Sequence, residues 1–409
     1  MSRVAVFALA CLLPFAAGAG GTTAIVHARA HPVSAPPVED ATVVLRDGHI
    51  VSVEPGGTVP DGARVIDAGG RDLTPALFHP ATQLGLSELG SGREAAASGK
   101  SRAGYALHYG IDANAQAIEQ ARADGVARAL VIPSAAADDV FAGRALLLKL
   151  QPGGDIVDHA DVAQFAYIGT DGSRAHSHAA AWQRLHKKLG RAHAPPQPPG
   201  EDPIHADADD IALHAVATRG VPLAVVTHRE ADIRQAIALA RRWDLRVVVV
   251  GGAEAWRAAP ELAAAGIAVV LDPLDALPAD YDRIGARRDN AALLHRAGVT
   301  IAFAASAQGI YTSWNAGPSL RQAAGLAAAH GLPDDIALAA ITRTPARIWG
   351  LDPRLGTLAA GAEADLVLWD GDPLEPSSAP AAVFVGGREV SPETRQTRLR
   401  DRYRPEPAR

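Results

Sequence analysis

Hydrophobic and polar positions divide the chain into stretches of different period. From Thr22 to Asp67 the apolar residues come in short β-branched runs, Ala41–Leu45, His49–Val53 and Arg64–Ile66. Arg46-Asp47-Gly48 and Glu54-Pro55-Gly56-Gly57 separate them as turns, so this segment predicts strands. From Leu73 the texture changes. Near-continuous apolar runs at Ala129–Ile132, Pro222–Thr227, Leu245–Val250, Ile267–Leu271 and Val299–Phe303 predict strands covered on both faces, as in a parallel sheet. Between them the period becomes helical. In Glu230–Trp243 the residues Ile233, Ala236, Ile237, Ala240 and Trp243 repeat at i, i+3, i+4, i+7. Ala253–Ala265, Ala286–Ala297 and Ser319–His330 carry similar stripes. No Gly-rich phosphate fingerprint follows any strand, so the alternation fits an α/β fold of the (β/α)8 TIM-like barrel type better than a doubly wound sheet. After Gly350 β texture returns at Gly361–Trp369 and Val383–Val390. A β unit at each chain end predicts a small β-sandwich formed by the two ends together.

The resulting organisation is 1–19 leader, 20–72 first half of the sandwich, 73–350 barrel, 351–390 second half, and 391–409 a charged, loose tail. Within the barrel Gly190–Asp202 is proline-rich and reads as an exposed, semi-rigid connector.

Composition adjusts this picture in two ways. The chain has 409 residues, 48% of them hydrophobic and 21% charged, enough to bury one large core or two of moderate size. Its formal charge of −6 and the lack of a long basic run argue against nucleic acid as a partner. At the start, Arg3, the apolar run Val4–Ala17 and Ala17-Gly18-Ala19 have the layout of a cleaved export signal. The run is short and interrupted by Pro14, so no stable membrane span is expected. Cys11 is the only cysteine and lies in that leader, which leaves a periplasmic or secreted mature chain without disulfides or Cys-ligated metal.

Longer motifs now carry a resemblance. Thr42–Val53 (TVVLRDGHIVSV) followed by Val65–Gly69, and Ala337–Leu351 (ALAAITRTPARIWGL) followed by Leu355-Gly356 and Gly361–Leu366 (GAEADL), resemble the opening and closing signatures of the amidohydrolase superfamily, of the imidazolonepropionase and dihydroorotase type. The resemblance spans Thr42 to Val390. It implies a split β-sandwich around a metal-dependent barrel that hydrolyses C–N bonds in cyclic amides, ureas or peptide-like substrates. Such chemistry needs a divalent metal, zinc in the usual case, to lower the pKa of bound water. The family's ligands are a His-x-His after the first strand, a mid-barrel lysine or acid, two later histidines and a final aspartate.

Carried over position by position, that set is depleted. The stretch Leu73–Leu86 (LTPALFHPATQLGL) places Ala81 and Gln83 where the first histidine pair belongs. The third ligand corresponds to His228, the fourth to Gly251 or Gly252, and the aspartate to Ser306 or Ala305. Lys149 is a nominal mid-barrel candidate. Alanine offers no donor atom and a neutral amide is a weak zinc ligand. A rebuilt site is conceivable from His79, which shares strand parity with 81 and 83, together with His228 and a catalytic candidate, Asp272, at a strand end. A second His-x-His, His176-Ser177-His178 with His186 beyond it, precedes a helical run and reads as solvated helix-start histidines. No Gly-x-Ser-x-Gly elbow is present. Tyr311 and Trp314 follow the last strand and, with Gln83 and Ser306, are candidates to line a pocket.

Three functions are consistent with these residues. The favoured one is an exported amidohydrolase-type protein without the usual catalysis and without a cofactor, a homo-oligomer or the silent subunit of an oligomer with an intact relative. The second is an active metal-dependent hydrolase with a rebuilt site, and the third a periplasmic protein that binds a small molecule.

Overall fold

A computed structural model of the chain describes residues 21–86, 102–136, 138–169, 177–193, 207–305 and 313–404. Residues 1–19, expected to be an export leader, lie outside the described residues. Two eight-stranded sheets organise the rest.

The first sheet is built from both chain ends. Its strands are β1 (Thr23–Ala30), β2 (Val38–Arg46), β3 (His49–Pro55), β4 (Arg64–Asp67) and β5 (Asp72–Pro75). The closing segment adds β14 (Leu366–Trp369), β15 (Pro380–Val385) and β16 (Arg388–Val390). They form one branched sheet in the order β16-β15-β14-β5-β1-β2-β3, with β4 also paired to β1. The two ends meet where β14 runs antiparallel to β5, Val367 opposite Thr74.

The second sheet holds β6 (Leu77–Thr82), β7 (Val126–Val131), β8 (Phe141–Lys149), β9 (Val157–Tyr167), β10 (Leu223–Thr227), β11 (Val247–Gly251), β12 (Ala268–Leu271) and β13 (Ile301–Phe303), hydrogen-bonded in sequence order. It is a nearly closed barrel, because β13 returns beside β6. Side chains alternate between two clusters. Phe78, Phe165, Val226, Val250 and Val270 fill the interior, while Leu77, Val225, Val249 and Val269 pack outward on helices such as α4 (Glu230–Trp243). That two-sided burial is why the strands read as unbroken apolar runs.

The barrel departs from an all-parallel repeat at one place. β8 runs antiparallel to both β7 and β9. A parallel crossover needs roughly a dozen residues or more, and the links 132–140 and 150–156 are too short, so the chain doubles back twice. This reversal puts the end of β8 at the starting end of its neighbours. Lys149 therefore stands away from the mouth where ligands belong and forms an ion pair with Glu363.

The closing signature has a structural task there. Arg128 of β7 is buried; its Nε donates to Asp365 Oδ2 at 3.1 Å, its Nη2 to Glu363 Oε2 at 2.6 Å, and its Nη1 pairs with Asp158. Two of its three carboxylates thus come from the GAEADL motif, which ties the terminal sheet to the barrel. The tail also differs from the loose segment expected. Arg395–Tyr403 is a helix with a capping box between Thr394 and Thr397. Arg398 anchors it through both carboxylate oxygens of Glu119, at 3.1 and 3.2 Å, on the helix α1 (Gln116–Ala123).

Candidate functional site

Where the strands end, the barrel mouth holds a small cavity of about 90 Å³. Its walls are apolar, among them Ala81, Ile132, Val226 and Val270, and its polar rim is His228, Asp272, Asp275 and Arg283. His228 follows β10 and is 7% exposed. Arg283 Nη2 stands 2.9 Å from His228 Nε2. A guanidinium only donates, so Nε2 accepts and the imidazole proton resides on Nδ1. The same guanidinium donates from Nε to Asp275 Oδ2 at 2.7 Å and pairs with Asp280 through Nη1. Arg283 therefore bridges two carboxylates of its own segment, with one positive charge against two negative ones, and occupies the His228 Nε2 lone pair.

Gly251, at the end of β11, explains the post beside it. A Cβ there would lie 2.6 Å from His228 Cε1 and 2.8 Å from its Nε2. The backbone has φ +99°, a conformation that glycine alone adopts without strain. The His228 ring fills the space that a fourth ligand's side chain would need.

The first strand is similarly committed elsewhere. The pairing of β6 with β7 shifts register between Leu77 and Phe78 and again between His79 and Thr82. In consequence Phe78 and Ala81 both belong to the interior cluster, and the simple alternation that would turn His79 inward with Ala81 and Gln83 is broken. His79 does not line the cavity. It is 1% exposed, its Nδ1 accepts the Ala81 amide at 3.3 Å, and its Nε2 has no hydrogen-bond partner. Burial pushes its pKa down to about 3, so it stays neutral. Gln83 is buried and donates to Ser134 Oγ at 2.6 Å. Asp272 does line the cavity, and its Oδ1 accepts the Leu274 amide at 2.9 Å. Trp314 packs against the outer core rather than the cavity. Ser306 and Tyr311 lie outside the described residues.

One histidine was misjudged from its local setting. His178 opens the helix α2 (His178–Ala192), as its position suggested, yet it is not freely solvated. Its Nδ1 is 2.8 Å from Asp232 Oδ2 and its Nε2 3.2 Å from Asp282 Oδ1, and both carboxylates are 2% exposed. Asp232 also accepts from Trp182 Nε1 at 2.8 Å and from Arg229 Nε at 2.9 Å. Asp282 and Arg283 are neighbours, so the short turn Tyr281–Arg283 is clamped on both sides, to His178 and to His228. The sequence signal for this cluster was thin: isolated acids and one histidine, distant along the chain and joined only by the barrel rim.

A catalytic metal of the kind the resemblance implies does not fit these residues. Among the described residues no three His, Cys, Asp or Glu side chains converge as a metal site. The posts at Ala81 and Gly251 have no donor, Gln83 is turned to Ser134, and Arg283 engages His228.

Comparisons with known proteins bear on the architecture. Residues 249–390 match the model of the amidohydrolase family. The amidohydrolase tasK of Hapsidospora irregularis is 47% identical over 58 residues, which are 14% of this chain and 6% of that protein, so the chain spans a small part of that relative's length. An amidohydrolase structure from Thermotoga maritima superposes with a TM-score of 0.80 at 22% identity, covering 90% of this chain and 99% of that one. A prolidase complexed with N-methylphosphonate-L-proline gives 0.57 at 16% identity, over 90% of this chain and 99% of its own. A zinc-bound adenosine deaminase from Xanthomonas campestris gives 0.53 at 20% identity, over 94% and 98%. At such identities the structural likenesses speak for the fold, while the match over residues 249–390 and the local likeness to tasK speak for descent. With the barrel formed as the resemblance implied and the GAEADL carboxylates locking it to the terminal sheet, the chain has the fold of these amidohydrolase structures and matches the amidohydrolase family over residues 249–390.

Proposed function

We propose that this chain is an exported amidohydrolase-family protein that has given up metal-assisted hydrolysis and acts as the non-catalytic member of a complex with an intact relative. The observation that carries the reading is the contact between Arg283 Nη2 and His228 Nε2, with Gly251 leaving room only for the imidazole ring. A catalytic zinc site of this type uses three protein ligands and one open position. Here the nitrogen of the one remaining histidine is hydrogen-bonded to a cation, which would have to leave before a second cation could bind. The leader sequence supports export. Retention of the family's closing signature beside a depleted ligand set supports a role that needs the fold and not the metal. Leu274, Leu277, Tyr281 and Ile284 are exposed on the segment that carries Arg283, and large apolar side chains exposed along one short segment suit a protein partner.

The test is elemental analysis of the mature protein purified without chelators. The expected content is below about a tenth of an equivalent of zinc, manganese and iron together, given how few donors remain. A stoichiometric metal that is lost in His228→Ala would overturn the reading and restore the active-hydrolase alternative.

A further inference from the structure

The barrel has a second cleft, at the end opposite the mouth, and its chemistry is different. It lies where β10, β11, β12 and β13 begin, a cavity of about 260 Å³ bordered by Pro222, Arg246, Ile267 and Thr300, each just before its strand, with Arg219 and Arg347 at its edge. No carboxylate lines it. The contrast within the molecule is informative. The chain as a whole carries −6, and at the mouth Asp272 and Asp275 accompany Arg283.

From this we infer that the cleft binds a compact phosphate-type anion, inorganic phosphate or pyrophosphate being the simplest representatives. Arg219 is paired with Asp244 at 2.5 Å, a contact largely open to solvent. Arg246 and Arg347 form no ion pair with any carboxylate among the described residues. Two guanidinium groups without a counter-charge, facing one concavity, repel one another, and an anion between them relieves that repulsion while accepting paired N–H donors. A Cβ on Gly350 would lie 2.6 Å from Arg246 Nη2, so the guanidinium packs on the end of the helix Arg343–Trp349. The cavity falls just under the range of roughly 300–1,000 Å³ for small-molecule sites, which favours a small, highly charged ligand over an extended one. Arginine suits this task because its planar fork matches phosphate oxygens. The site stands apart from the mouth and does not depend on the proposed loss of hydrolysis.

The experiment is calorimetric titration of the mature protein with pyrophosphate at low chloride, alongside R246Q/R347Q, R246K/R347K and T300V. The expected result is saturable one-site binding, weakened by about tenfold or more in R246Q/R347Q through loss of the charge-assisted hydrogen bonds. The lysine pair, which keeps the charge and protects against a simple folding failure, should weaken binding by a smaller factor. Titration with phosphatidylglycerol vesicles separates a free anion from a lipid headgroup. Absence of saturable binding up to about 10 mM pyrophosphate, equal affinity in both arginine pairs and wild type, or binding of vesicles alone would each overturn the inference.

Discussion

Replacing Arg128 by methionine should destabilise the protein by disconnecting its two sheets. In the native chain the Arg128 side chain is 4% exposed and meets Asp158, Glu363 and Asp365. Methionine fills much of the same volume but leaves three carboxylates with only Lys149, paired to Glu363, and the exposed His159, beside Asp158, to offset them. Removing one partner of a buried ion pair costs about 3–5 kcal/mol. Unfolding entropy of roughly 2.1 cal/mol/K per residue over roughly 390 folded residues gives roughly 0.8 kcal/mol/K. The melting temperature should therefore fall by about 4–6 °C, followed by tryptophan fluorescence at pH 7.5.

A pH series checks the cause of that fall. Glu363 is partly buried, which by itself raises its pKa, but Arg128 and Lys149 outweigh burial and hold it below the ordinary glutamate value. A depressed carboxyl contributes stability that is present above its unfolded pKa of 4.5 and is lost as pH falls through the folded value. The gap between wild type and R128M should narrow below about pH 4.5 for that reason. R128K, which keeps the charge but loses the fork, should fall between the two. An R128M protein that melts within about 1 °C of wild type, or a gap that does not change with pH, would refute the assignment of Arg128 as the joint.

Two further outcomes follow from single sites. Asp124 is pushed up to about 6, mainly by burial, with Gln120 and Arg321 opposing. A raised carboxyl gives stability that is complete below its unfolded pKa of 3.8 and is lost as pH climbs through 6. Asp124→Asn should thus remove a pH-dependent loss of at most on the order of 3 kcal/mol between pH 4 and 7; parallel melting curves against pH for the two proteins would count against it. Gly251→Ala sets a methyl 2.6 Å from His228 Cε1 at φ +99°. It should cost about 1–3 kcal/mol in urea unfolding, and an unchanged midpoint would show that the His228 ring is not held where the geometry puts it.

The sequence by itself determined the periodic elements and, through the terminal signatures, the likeness to the amidohydrolase family. Local propensity and burial on two faces dictate runs such as Pro222–Thr227 and Leu245–Val250, and such signals depend only on neighbours in the chain. That Ala81 and Gly251 offer no donor atom was equally plain, because donor chemistry is a property of the residue itself. Tertiary structure decided everything that rests on direction and distance. A register shift in β6 decided which of Phe78, His79 and Ala81 enters the barrel. The antiparallel β8 carried Lys149 to the far end, where it meets Glu363. Only the closed arrangement of strands brought Arg283 onto His228, His178 between Asp232 and Asp282, and Arg246 and Arg347 to one cleft. These partners are tens to more than a hundred residues apart in sequence, and no local pattern encodes an encounter that the fold alone creates.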